Sequence, residues 1–205
     1  MLRFSKGSPL ERGRVGVLPG AFNPVTNAHI ALAEASIQQH HLDQIIFLLP
    51  EVFPHKEYTG ASFQQRLALL QAALSGERQC AIASSDRGLF VEIAKAVRDK
   101  YGPGVEIHLI CGRDAAERIV NWDYGDGPDF ARQLEQFQML VGSRGEGYGV
   151  PAGLEGRIHR VEMPPELGEV SATEVRLAIR QDDAWEHLVP AAVAEEIVGR
   201  GLYRA

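Results

Sequence analysis

Apolar and polar positions along this 205-residue chain follow two alternating rhythms. Short, nearly continuous apolar runs occupy residues 14–18, 44–49 (Q-I-I-F-L-L), 80–83, 105–111 and 137–141, with one further run at 158–163. Runs of that length and continuity predict strands buried on both faces. Between them, apolar residues return every three or four positions, which predicts helices over 27–40, 62–74, 89–100, 113–120, 172–180 and 191–199. The boundaries carry their own signals. Pro19-Gly20 and Asn23-Pro24 break the first strand from the first helix, and Tyr101-Gly102-Pro103-Gly104 ends the third. Ser62 and Gln65 have the spacing of a capping box. Residues 1–12 read as a flexible leader, and the glycine-rich stretch 142–156 as a loop. Strand and helix in alternation predict βαβ units, hence an α/β fold: a doubly wound parallel sheet with helices on both faces and two C-terminal helices. We expect a single domain over residues 13–205.

Composition narrows the function classes. A hydrophobic fraction of 45% is ordinary for a globular chain, and a formal net charge of −6 argues against a general nucleic-acid binder. Cys80 and Cys111 have no metal or redox spacing and sit in strand-like runs, so they read as buried free thiols. His40, His41, His108 and His159 also lack metal spacing and read as structural or surface residues. No apolar stretch has the length of a membrane span and no signal-peptide pattern opens the chain, so no membrane partner and a cytoplasmic location are expected. Neither G-x-G-x-x-G nor G-x-x-x-x-G-K-[ST] stands at a strand-to-helix turn, which disfavours a classical dehydrogenase or a P-loop kinase.

The chemistry concentrates where the first strand meets the first helix, in G-V-L-P-G-A-F-N-P-V-T-N-A-H (residues 16–29). In an open α/β sheet, ligands bind at the carboxyl ends of strands, and a helix N-terminus there favours phosphate. Thr26 and His29 lie three apart in the first helical turn and so share one face. A hydroxyl, an imidazole and a helix N-terminus suit a developing phosphoryl charge. The same residues, read without chemistry, make an ordinary helix cap.

This segment resembles the signature of the nucleotidylyltransferase superfamily, G-x-F-x-P-x-[HT]-x-G-H, through Gly20, Phe22, Pro24, Thr26 and His29; Ala28 stands where glycine is usual. Asn23, Thr26 and Asn27 bring it nearest to the nicotinate/nicotinamide mononucleotide adenylyltransferase family, which has F-N-P-x-T-N-x-H. Further along, Val170-Ser171-Ala172-Thr173-Glu174-Val175-Arg176 resembles the family's second signature, with Ala172 in place of a serine, and 187–203 resembles its C-terminal tail. Pro54-His55-Lys56 followed by Arg66, Gly112-Arg113-Asp114 and Trp122 also have counterparts there. Residues 84–94 are where the chain departs most.

The resemblance implies a Rossmann-like fold and transfer of an adenylyl group from ATP to a pyridine mononucleotide, with magnesium accompanying ATP because charge accumulates on the phosphates. It implies that Gly20, Ala21, Phe22, Asn23, His29, Gly112, Asp114, Ser171, Thr173 and Arg176 bind ATP. His29, Thr26, Arg176 and Lys56 would carry the reaction, and Lys56, Arg66, Trp122 and Arg144 would meet the acceptor. No direct protein ligand to a metal is assigned. Each residue also has a plainer reading: Asp114 or Ser171 as a helix cap, Trp122 as core, and Lys56, Arg66 and Arg144 as solvated cations. A different phosphorylated acceptor, CTP in place of ATP, and a nucleotide-binding domain without turnover stay open, as does a homo-oligomer.

Overall fold

A computed structural model describes residues 1–51, 60–86, 88–125, 127, 129–143, 147–167 and 170–204. The strands predicted from apolar runs line up side by side in one sheet. In chain order they are β1 (Leu2–Lys6), β2 (Gly13–Pro19), β3 (Gln44–Pro50), β4 (Cys80–Ser85), β5 (Val105–Gly112), β6 (Gln138–Ser143) and β7 (Ile158–Glu162). The spatial order is β1-β4-β3-β2-β5-β6-β7. Every pair from β4 to β7 is parallel, so both faces need covering, and the helices cover them. These are α1 (Asn27–His40), α2 (Phe63–Ala73), α3 (Phe90–Tyr101), α4 (Arg113–Val120), the short α5 (Phe130–Gln133), α6 (Ala172–Gln181) and α7 (Ala191–Arg200).

Period-two alternation sorts each strand between two cores. Ile45, Phe47 and Leu49 of β3 point to one face, where they meet Leu32 of α1, Leu69 and Leu70 of α2, Val175 of α6 and Val193 of α7. Ile46 and Leu48 point to the other, toward Ile93 and Val97 of α3, Ala116 of α4 and Phe130 of α5. Both cysteines are buried free thiols; burial pushes Cys80 up to about 11 and Cys111 up to about 12. Among the described residues no helix is long and apolar enough to cross a membrane.

The leader expected over residues 1–12 is in part an element of the sheet. Leu2–Lys6 pairs antiparallel with β4, buries Leu2, and brings the Phe4 ring to 6.1 Å from Tyr101. Met1 and Arg3 reach Asp86 and Glu51 at the carboxyl ends of β4 and β3. The doubly wound parallel sheet thus carries one antiparallel edge strand.

The chain order reverses between β2 and β5: β3 and β4 lie to one side of that pair, β6 and β7 to the other. Such a switch point opens a crevice beyond the carboxyl ends of the two strands. At this crevice stand Pro19, the end of β2, and Gly112, the end of β5.

The opposite end of the sheet carries a polar layer beneath the end of α1. Arg14 Nε reaches Glu106 at 3.3 Å, Gln138 Nε2 donates to Glu106 at 2.6 Å, and His159 Nε2 stands 2.9 Å from Gln138 Oε1. His108 is buried within it, 3.4 Å from Glu106, and burial lowers its pKa to about 4. Its unfolded value is about 6.5. Between those values the unfolded chain binds the extra proton, so this contribution to stability is present above about pH 6.5 and is lost as pH falls toward 4. His29, also lowered to about 4, acts in the same direction. Denaturant unfolding between pH 7 and pH 4.5 should show stability falling, and His108→Gln should remove about one proton from that dependence. A variant with an unchanged pH slope would overturn the assignment.

Candidate active site

The turn after β2 is built so that its backbone is held from outside and faces inward. Gly20 donates to Leu48 O at 3.0 Å, tying the turn to β3. The Phe22 ring folds back so closely that a Cβ on Gly20 would stand 2.8 Å from it, which accounts for glycine there. Phe22 itself has φ +46 and is 1% exposed. Its ring lies 5.6 Å from Phe47 and, edge on, 5.2 Å from the His29 imidazole. A cis peptide joins Asn23 to Pro24. Among the described residues no backbone carbonyl accepts from the N–H of Ala21 or Phe22.

Thr26 caps α1, and His29 is the third residue of that helix. The Thr26 backbone N–H donates to His29 Nδ1 at 3.0 Å, and Thr26 Oγ1 lies 2.7 Å from the same nitrogen. A backbone N–H can only donate, so Nδ1 is the unprotonated, accepting nitrogen, and the ring proton sits on Nε2. Burial reinforces this by lowering the His29 pKa to about 4. At neutral pH the ring is a neutral donor aimed through Nε2. Thr26 is fully buried, and its Oγ1 and backbone N–H both meet the imidazole. Nitrogen-detected NMR of the free protein should show His29 as the Nε2–H tautomer from pH 8 down to about 5. A charge change near pH 6.5 would contradict this geometry.

Two arginines far apart in sequence meet at this turn. Arg66, on α2, is 3% exposed and donates from Nη1 to Ala21 O at 2.7 Å. It is therefore not a solvated surface cation: its guanidinium is buried against the turn and serves a turn carbonyl. Arg176, on α6, donates from Nη1 to Asn23 O at 2.6 Å and to Ala172 O at 3.0 Å, and from Nη2 to Thr173 Oγ1 at 3.3 Å. The two sequence signatures are therefore joined directly. At the start of α6, Ser171 Oγ accepts from Glu174 N at 3.1 Å, and Ser171 N donates to Glu174 at 3.4 Å, closing the capping box. The capping reading of Ser171 holds, and it leaves the helix N-terminus beside the turn.

Across the crevice, Gly112 precedes α4, and Asp114 sits in the first turn of that helix. Asp114 shares an open, shallow surface with Glu117, Arg118, Asn121, Trp122 and Asp123. Trp122 is 53% exposed, so it is not a core residue. Lys56, within Pro54-His55-Lys56, and Arg144 lie outside the described residues. No group of three or more His, Cys, Asp or Glu that could hold a metal occurs among the described residues.

The sequence reading missed Tyr203, beyond α7. The apolar period of α7 predicts packing alone, but the tyrosine ring borders Gly60, which also stands against the Asn23 side chain. Only the tail's resemblance hinted at it.

The chain resembles known proteins over most of its length. A family model described as cytidylyltransferase-like matches residues 17–178. The chain is 30% identical to a probable nicotinate-nucleotide adenylyltransferase of Moorella thermoacetica over 94% of this chain and 92% of that one. It is 31% identical to the protein of the same name from Rubrobacter xylanophilus, again over 94% and 92%. The solved structure of Plasmodium falciparum nicotinic acid mononucleotide adenylyltransferase complexed with NaAD superposes with a TM-score of 0.70 at 15% identity, covering 93% of this chain and 97% of that one. That likeness shows a common fold. With both signatures joined at one turn and the family model spanning β2 to α6, the chain belongs to the cytidylyltransferase-like family, alongside nicotinate-nucleotide adenylyltransferases.

Proposed function

We propose that this protein transfers the adenylyl group of ATP to nicotinate mononucleotide, forming the dinucleotide and releasing pyrophosphate as a step in NAD biosynthesis. The observation that carries the reading is the bond from Arg176 to Asn23 O, which sets a cationic helix start against the turn and the His29 donor. The acceptor's 5′-phosphate oxygen attacks the α-phosphorus in line, and the bond from that phosphorus to the bridging oxygen of pyrophosphate breaks. No protein nucleophile is needed, since positioning and charge stabilisation carry such transfers.

The chain's own groups divide the work. The N–H groups of Ala21 and Phe22, with the start of α1, receive phosphate oxygens. His29 donates from Nε2 to an oxygen that gains charge, and Thr26 keeps the ring in the donating tautomer. Arg176, with Thr173 and the start of α6, meets the β- and γ-phosphates; its remaining N–H groups are available while Nη1 holds the turn. Asp114 accepts from ribose hydroxyls, and Trp122 faces the pyridine ring. Lys56 and Arg144 would add charge near the acceptor. ATP enters as its magnesium complex, the ion neutralising part of the phosphate charge.

The relatives' names favour nicotinate over nicotinamide as the base. The test is magnesium-dependent pyrophosphate release from ATP with each mononucleotide supplied separately. Release that is faster with nicotinate mononucleotide, compared as kcat/KM, supports the reading. Release with neither from folded protein would sink it.

A further inference from the structure

We propose that Tyr203 is a positioning residue for the nucleotide site: its buried ring, set against Gly60 next to the Asn23 side chain, braces the turn at residues 20–24. The proposal rests on the adenylyl-transfer reading for its kinetic readout but not for its binding readout.

The geometry begins at α7, which packs against α2 and ends at Gly201 in a left-handed cap, φ +60. Leu202 N returns to Ile197 O at 3.0 Å, and Tyr203 adopts φ +67, so the tail turns back into the core. Tyr203 is 5% exposed. A methyl group on Gly60 would stand 3.1 Å from Cε1 and 3.2 Å from Cδ1 of that ring, and 3.5 Å from Asn23 Oδ1. Gly60, at φ +108, thus fits against the tyrosine ring and the Asn23 side chain at once. The adjacent Ala61 N–H donates to Asn23 Oδ1 at 3.4 Å. Burial keeps the phenol neutral.

These contacts have a directional consequence. In a trans peptide the carbonyl and the following N–H point opposite ways. With Arg66 fixing Ala21 O, the Phe22 N–H is fixed in the opposite direction. The brace therefore matters to an anion that must find that N–H already in place, and small displacements there weaken binding well beyond the loss of one contact. The Tyr203 hydroxyl is buried and meets no partner among the described residues, so the ring, not the oxygen, does the bracing.

The experiment compares Tyr203→Ala, Tyr203→Phe and Leu202→Ala in the full chain. Leu202 is buried to a similar degree in the same tail and lies with Ile179, Trp185 and Ile197, which makes it the control for lost packing. Each variant is assayed for Tm, for the Kd of magnesium-ATP by calorimetry without acceptor, and for KM and kcat. Tyr203→Ala should weaken ATP binding and raise its KM by about 10-fold or more. Tyr203→Phe should restore both to near wild type, and Leu202→Ala should lower Tm while leaving the ATP Kd unchanged. If Tyr203→Ala does not fold, Tyr203→Leu, which fills volume without the flat face, should give the same split. An ATP Kd within about twofold of wild type in the folded Ala or Leu variant would overturn the proposal, as would a Leu202→Ala effect of equal size or a Phe variant as weak as Ala. Wild-type protein that binds ATP but turns over no acceptor would instead sink the functional reading and leave the Kd comparison intact.

Discussion

Replacing His29 with alanine lowers kcat by about 10²-fold or more, the loss expected when one donor to a developing oxyanion is removed. The fold survives, because His29 is only half-buried and the neighbouring Ala28, Leu32 and Ala33 hold α1 to the core. The size of the effect follows from the state of the ring. A neutral imidazole with its proton on Nε2 donates without first losing a charge, and the Thr26 N–H prevents the other tautomer. The protonated ring would have to give up that bond, and burial already lowers its pKa to about 4. His29→Gln puts an amide N–H near the position of Nε2 and should recover part of the loss. Wild-type turnover in the alanine variant, measured as pyrophosphate release under saturating substrates, would remove His29 from the reaction.

That ring was legible in the sequence because everything that positions it is local: cap, third helical residue and turn lie within ten positions of Gly20. The same holds for the larger part of the fold. Buried parallel strands read as unbroken apolar runs, and β3 (Q-I-I-F-L-L-P) buries all seven residues. Capping boxes at Ser62 and Ser171 fixed two helix starts from side-chain spacing alone. β1 failed for the converse reason. L-R-F-S-K alternates polar and apolar residues over only five positions, and its place in the sheet comes from bonds to β4, some eighty residues away. The four-residue α5 is too short to show a period, and its cap, Asp129, follows a stretch of aspartates and glycines that reads as loop.

The roles of the arginines were only half legible. Their charge suggested phosphate, but no local pattern reveals that a guanidinium spends its N–H groups on carbonyls 45 or 153 positions away. Arg66 and Arg176 reach the turn from two distant helices, α2 and α6, and each takes one carbonyl of the same short segment. Tyr203 was hidden in the same way, since the apolar period of α7 accounts for the tail's burial without it. What the sequence conceals here is long-range satisfaction of backbone polar groups, the condition on which an ordered turn with free N–H groups depends.

That double use of Arg176 sets the second large effect. Arg176→Ala should lower kcat/KM for ATP by about 10³-fold, a loss comparable to removing a phosphate-facing arginine from a phosphoryl-transfer site. Part of it is charge withdrawn from the leaving pyrophosphate, and part is a turn no longer held at Asn23 O. The two parts separate with Arg176→Lys. An ammonium keeps the charge, but as a compact point donor it cannot reproduce a planar fork that reaches Asn23 O, Ala172 O and Thr173 Oγ1 together. Lysine should therefore recover less than about 10-fold of the loss if the clamp matters as much as the charge. Val175 and Ile179 keep α6 seated in the core in both variants, so circular dichroism and Tm should change little. Full recovery by lysine would show that Arg176 contributes charge alone and that the bond to Asn23 O is incidental. An alanine variant with wild-type kcat/KM would detach the second signature from the site altogether.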